Sequence, residues 1–484
     1  MPETDRLRGL IQPANDALAI ALKEAGWGEG SVGLLVGLLQ VAETGLLLLL
    51  LVSACELGQR LQRRGPAADR NVRIAFGFAA GALFAGSARF VTGDMESLFG
   101  RWDHFLFAAA CGLGLRGLPE RARHLAVAAL STYFLIALVG WRTMALLIGG
   151  GLLGYALLWL PGAHTPWGTA AGQTAVLGII LAALWLLRAR YPIGALVAQG
   201  LYGFLLLRQI SFAVEIRRGY PARVDHYLCY MLFYPTFAGA TEIYSEFADR
   251  NFRAERPIPY RTAARQALWG QTLAWASFQI PITSVEAIAQ PSAAAAWGSA
   301  FLLFTRSALF VMGLWWTIHA TAWLLGFETR PNFVNLFGCE NPAQFWRSWR
   351  ATMTNWLIRY VYIPLGGNRG HQVRNICAAF VVSTAWHAMG IPFLARAPRL
   401  EHLTPILLWG VLNAAGVAGY VAVRRRGWKI MPEETPSWLR RGTKLALTLI
   451  FATFTVTLLN FRPGNIEQFV PFLRALAGLR ETAP

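Results

Sequence analysis

Runs of about twenty apolar, nearly uncharged residues recur along the whole chain, and they decide what it can become. A bilayer core of ~30 Å is crossed by a helix of about 20 such residues; an open strand or loop cannot cross it, because its backbone groups go unsatisfied. Runs of this kind lie at 31–54, 71–91, 125–141, 144–160, 169–187, 192–212, 293–327, 373–395, 403–423 and 445–461. Shorter or broken ones lie at 105–118, 227–243 and 267–282. The expected fold is an all-α polytopic membrane protein with about 10–13 transmembrane or re-entrant helices. The run at 293–327 exceeds the usual ~17–25 residues, which predicts a tilted helix, a kinked one, or two pieces.

Composition excludes the main alternatives. The 484 residues are 55% hydrophobic and only 14% charged, where soluble domains carry about 25% charged residues. An aromatic content of 13% excludes disorder. The net charge of +18 first suggests nucleic acid. The arginines, however, sit in short loops between apolar runs, as in Arg60, Arg63 and Arg64 or Arg424, Arg425 and Arg426. That is the pattern of cytoplasmic loops against anionic membrane lipids, so no nucleic-acid partner is expected. Cys55, Cys111, Cys229, Cys339 and Cys377 are scattered without a CxxC pair, so neither a disulfide framework nor a metal site is expected.

Residues 1–30 mix charges of both signs and read as an amphipathic surface segment rather than a signal peptide. Transmembrane helices follow over 31–190, and 466–484 forms an amphipathic C-terminal helix and tail at the interface. Basic loops at 57–72 and 115–123 belong inside, and the acidic loop at 92–103 outside. Alternation then puts Arg217, Arg218 and Arg223 inside, yet the next loop, 245–265, is also arginine-rich. A helix broken at Pro235 and Gly239 that dips in and returns repairs the count, and such backbone is tolerated only where protein or a cavity surrounds it.

Ionisable groups inside apolar runs are costly and mark candidate sites. His387 lies within 373–395 beside Trp386, with no acid in the same run. As a neutral imidazole it can take a proton as a general base, or it can simply bond a neighbouring helix. His319, in the run 293–327, carries the same two readings. His104, His124, His164, His226, His371 and His402 lie at run ends or in loops, where surface roles are expected. Glu43, Glu56, Arg89, Arg208 and Arg306 read as snorkelling or inter-helix pairing. The stretch 344–370 mixes Arg347, Arg350, Arg359 and Arg369 with Phe345, Trp346, Trp349, Trp356, Tyr360 and Tyr362. Its part at 345–363 reads as one amphipathic segment, ended by a turn at Pro364-Leu365-Gly366-Gly367. It is either an interfacial helix or a vestibule for a long anionic ligand.

Phe345-Trp346-Arg347-Ser348-Trp349-Arg350, Trp356, Tyr362-Ile363-Pro364-Leu365-Gly366-Gly367-Asn368-Arg369 and Trp386-His387 together resemble the membrane-bound O-acyltransferase (MBOAT) family. The similarity is nearest the bacterial branch that acetylates alginate and D-alanylates teichoic acid. Gly326-Phe327 with Pro331-Asn332-Phe333, and Tyr234-Pro235-Thr236-Phe237-Ala238-Gly239, resemble that branch as well. The resemblance spans roughly 200–475, while 1–190 matches only as a hydrophobic profile. It implies a catalytic core at 191–465 around a central tunnel, in a bacterial inner (cytoplasmic) membrane. It further implies an acyl-CoA or acyl-carrier-protein donor, no resident cofactor, and an alcohol acceptor on a lipid, glycan or small metabolite.

His387 is then the implied base, with Arg350, Asn355, Trp346, Trp386 and His319 binding substrate. A partner protein outside the membrane would relay the acyl group. The branch usually has a second histidine, and eukaryotic relatives an asparagine, where this chain has Arg350. Arginine is no base at neutral pH, but it can bind phosphate or an oxyanion. A lipid or small-molecule transporter and an inactive scaffold are the rival readings.

Overall fold

The computed structural model describes residues 102–158, 195–237, 241–253, 257–281, 292–388, 399–428, 432, 434–461 and 463–479. Expectations for 1–30, the runs at 31–54, 71–91 and 169–187, Glu43, Glu56, Arg89, His164 and Gly239 lie outside these residues. The described chain is helical, and no strand occurs among the described residues. In order the helices are α1 (Trp102–Arg116), α2 (Glu120–Val139), α3 (Trp141–Leu157), α4 (Ala195–Arg217), α5 (Val224–Leu232) and α6 (Tyr244–Asn251). They continue as α7 (Tyr260–Phe278), α8 (Ala293–Leu324), α9 (Pro342–Ser348), α10 (Ala351–Leu357), α11 (Gln372–Ala388), α12 (Thr404–Arg425), α13 (Ser437–Leu458) and α14 (Phe469–Leu476). Among the described residues two segments, Ala293–Leu324 and Leu400–Arg425, are long and apolar enough to cross a membrane.

The long run is one continuous helix rather than two pieces. Ser292 caps α8 by accepting from the Ala295 amide at 3.3 Å. Its 32 residues extend about 48 Å at 1.5 Å per residue, more than a bilayer core needs, so it tilts or projects. Around it pack α1, α7, α13 and α14. The α7–α8 contact is a backbone contact through small residues. A Cβ on Gly313 would stand 2.6 Å from the Ala274 nitrogen and 2.7 Å from the Gly270 oxygen. Glycine lets helices approach this closely where lipid supplies little hydrophobic drive for association. Gly410 does the same between α12 and α11, where a Cβ would land on the Thr384 side chain.

The break expected near Pro235 is present: α5 stops at Leu232 and a 3₁₀ turn covers Tyr234–Thr236. Ending a helix frees its last carbonyls, which must find donors. Arg208 of α4 supplies them. It is 1% exposed and donates to the Tyr230 oxygen at 3.0 Å, the Met231 oxygen at 3.2 Å and the Thr236 hydroxyl at 2.6 Å. Of the roles open to an arginine in an apolar run, inter-helix pairing is the one realised. Arg306 likewise donates to the Ile280 carbonyl at the end of α7.

Two expectations are corrected. The segment at 345–363 is not one amphipathic helix; it is α9, α10 and a π-helical turn over Ile358–Tyr362, divided at Arg350. His104, His124, His226 and His402 are buried rather than at the surface, because each has an aromatic, carboxylate or backbone neighbour that the apolar-run profile does not register. The C-terminal amphipathic helix turns Phe469, Phe472 and Leu476 onto α8 and Phe461, so protein covers that face.

Candidate active site

The site is built on the bend between α9 and α10. Asn341 caps α9 by accepting from the Gln344 amide at 2.9 Å, with Pro342 in the first turn. Helix α9 ends at Ser348, Trp349 is extended, and Arg350 follows with φ 46° and ψ 53°, the left-handed region. That conformation costs a non-glycine residue ~1–2 kcal/mol. The bend is held from the loop before it. The Asn332 carbonyl accepts from the Ala351 amide at 2.8 Å, and its side-chain oxygen accepts from the Thr352 amide at 3.2 Å and hydroxyl at 2.7 Å. The Thr354 hydroxyl donates to the Trp346 carbonyl at 2.6 Å. Trp349 is buried among Phe304, Phe333 and Phe345.

Three of the predicted residues share one aromatic wall. His387, near the end of α11, donates from Nδ1 to the Ser383 carbonyl at 2.8 Å. A carbonyl can only accept, so in the neutral ring the lone pair sits on Nε2. The ring stands edge-on to Trp386 at 4.9 Å and lies 4.7 Å from Trp409 of α12. Trp409 also meets Trp346 at 5.5 Å, and the Trp346 indole donates to the Asn413 side-chain oxygen at 2.8 Å. Arg350 is within electrostatic reach of His387. Both residues are half-buried. Asn355 is half-buried on α10 and makes no side-chain hydrogen bond among the described residues.

His319 stands apart. Its Nδ1 bonds the Thr329 hydroxyl, its ring lies 6.4 Å from Trp315, and no described contact joins it to His387. Arg359, one of the basic residues of 344–370, is committed elsewhere: it grips Glu215 of α4 through two bonds of 2.8 Å. Glu215 is fully buried and also accepts from Tyr360 at 2.8 Å and Arg218 at 2.9 Å. Burial alone would raise its carboxyl, but these bonds hold it below the usual carboxylate range. The glycines of the Pro364–Gly367 turn take φ 107° and 55°, and Asn375 of α11 donates to the Gly367 and Gly370 carbonyls at 3.1 and 2.9 Å. The turn is thereby fastened to the helix that carries His387.

The description "MBOAT, membrane-bound O-acyltransferase family" fits residues 128–397, which include this bend, the turn and His387. This chain belongs to the MBOAT family. The matched region starts well before residue 200, so part of the stretch that resembled the family only in hydrophobicity is inside it. A peptidoglycan O-acetyltransferase of Helicobacter pylori is 28% identical over 154 residues, 31% of this chain and 25% of the relative. A probable alginate O-acetylase of Pseudomonas syringae is 32% identical over 74 residues, 15% of this chain and 14% of the relative. A membrane-bound O-acyltransferase of Schizosaccharomyces pombe is 41% identical over 51 residues, 10% of this chain and 9% of the relative. The matched stretches thus span a quarter or less of these relatives.

In this MBOAT chain sequence reasoning missed Asn332, Ser383, Trp409 and Asn413 as site-builders. Asn332 carried a signal, since it stands in the Pro331-Asn332-Phe333 triplet, but its clamp on Thr352 is made across a loop. Trp409 and Asn413 sit one helical turn apart in an apolar run, and nothing local marks them as neighbours of His387.

Proposed function

We propose that this membrane protein is an O-acyltransferase moving an acyl group from a thioester donor, acyl-CoA or an acyl-carrier protein, to a hydroxyl. The observation that carries the reading is the bond from His387 Nδ1 to the Ser383 carbonyl, which sets the neutral tautomer with its lone pair on Nε2, the atom that acts as base, within electrostatic reach of Arg350. Nε2 takes the hydroxyl proton as the oxygen attacks the thioester carbonyl. The tetrahedral intermediate carries its charge on the former carbonyl oxygen, which Arg350 stabilises. The carbon–sulfur bond breaks, and the imidazolium returns its proton to the leaving thiolate. Asn355, Trp346 and Trp386 line the path of the substrates. His319 belongs to a separate polar group and has a supporting role.

The names of two relatives, a peptidoglycan O-acetyltransferase and a probable alginate O-acetylase, support a glycan hydroxyl as acceptor and acetyl as the group moved. In this reading a partner protein outside the membrane relays the acyl group to the glycan. The setting we propose is the bacterial inner membrane. The test is thiol release from acetyl-CoA and mass gain of a glycan oligosaccharide with the purified full chain. His387→Ala should abolish both while the protein remains monodisperse. Unchanged turnover in that variant discards His387 as the base, and absence of product from any thioester with the unaltered protein favours the transporter or scaffold reading.

A further inference from the structure

One cluster of ionisable side chains lies where α2 begins against the start of α5, and the proposed transfer does not use it. Glu120 and His124 are four residues apart on one face of α2. Asp225 and His226 stand in the first turn of α5. His124 and His226 are 0% and 5% exposed, while the Glu120 side chain is 46% exposed and opens the cluster to solvent. His124 Nδ1 lies 2.9 Å from Asp225 Oδ2, and His226 Nε2 lies 3.5 Å from Glu120 Oε1. One donor atom from each of the four residues falls within 4.8 Å of the others.

Hydrogen bonding does not account for the whole group. The 3.5 Å between His226 Nε2 and Glu120 Oε1 is too long for a good hydrogen bond, and the unpartnered nitrogens, His124 Nε2 and His226 Nδ1, are the other members of their rings and carry the ring protons when His124 Nδ1 and His226 Nε2 ligate. Imidazole nitrogens and carboxylate oxygens are both ordinary ligands of zinc-class ions.

We propose that Glu120, His124, Asp225 and His226 form a binding site for one divalent transition-metal ion of the zinc class, which clamps α2 to α5. A four-coordinate zinc with bonds of ~2.0–2.1 Å sets its donors about 3.3 Å apart. The two close pairs, at 2.9 and 3.5 Å, bracket that spacing. Arg223 donates to Glu120 at 2.9 Å and to both Asp225 oxygens at 3.1 and 2.7 Å, and so orients the carboxylates from outside, as outer-shell partners do. Two nitrogen donors disfavour magnesium and calcium, which take oxygen ligands.

The test uses the purified full chain without a polyhistidine tag, stripped by chelator and titrated with Co²⁺ alone and then Zn²⁺ alone. The expected result is one cobalt per chain with the intense visible absorption of tetrahedral coordination, displaced by zinc and untouched by magnesium. Zinc should raise the thermal midpoint. Glu120→Gln and His226→Ala should each weaken cobalt binding by more than the roughly 10–100-fold typical of losing an outer-shell partner. Glu120 is half-exposed, so its variant keeps the test open if a histidine variant fails to fold. No saturable cobalt in the unaltered protein overturns the proposal, as does undiminished binding in Glu120→Gln or in a folded His124→Ala/His226→Ala double variant.

Discussion

Replacing Asn332 by alanine tests whether the bend at Arg350 is held from outside. The Asn332 side-chain oxygen is the acceptor for the Thr352 amide at 3.2 Å and for its hydroxyl at 2.7 Å, and both groups are buried. Leaving a buried donor unmade costs about 1–3 kcal/mol, and the amide bond is long enough to sit at the low end, so the loss is about 2–4 kcal/mol. That exceeds the ~1–2 kcal/mol that the left-handed Arg350 stores, so the bend should relax toward ordinary helix and carry the guanidinium away from His387. A displacement near 1 Å in a positioned group costs up to about 100-fold in rate. Thermal unfolding in detergent should show a lower midpoint for Asn332→Ala. Acyl-transfer assays should show a fall in kcat/KM of roughly 10–100-fold. Asn332→Asp keeps the acceptor oxygen and should recover most of both. If Asn332→Ala is as stable and as active as the parent, the clamp is not what shapes the site.

Gly313→Val should destabilise by about 3 kcal/mol or more, because its Cβ would stand 2.6 Å from backbone of α7 that cannot step aside; loss of monodispersity and a lower thermal midpoint are the readouts, and a parent-like midpoint would refute the close crossing. Glu215 predicts the acid limb of stability. It lies just past the apolar run of α4, and its folded carboxyl is held below the unfolded value near 4.5. The unfolded chain therefore binds the proton first, and this stabilisation is complete above that value and lost as pH falls through the depressed one. Glu215→Gln should start less stable at neutral pH and show a shallower decline below pH ~4.5; an unchanged slope would show that another carboxylate sets it. His387→Ala should abolish thioester-dependent product, as set out above.

The apolar runs carried the fold class because lipid leaves the backbone few options, and the same logic marked His387 as out of place in hydrocarbon. The break after α5 was readable from Pro235, which cannot donate and cannot continue a helix. What restores its lost bonds was not readable, since Arg208 reaches it from another helix. The division of 345–363 escaped for a different reason. Its sequence has helical periodicity throughout and no glycine or proline at the bend, so only the tertiary clamp from Asn332 reveals that Arg350 leaves the helix. The buried histidines escaped in the same way: His124 meets Asp225 across 101 positions of chain, beyond the reach of any local pattern.

The geometry at residue 350 couples two properties that are usually chosen separately. Positive φ is tolerated several-fold better by asparagine and histidine than by most residues, and these are the occupants the resemblance associates with that position. An arginine there exchanges conformational ease for a permanent cation. Swapping in histidine therefore changes backbone comfort and charge at once, whereas glutamine removes the charge without easing the backbone, so the two exchanges together tell the contributions apart.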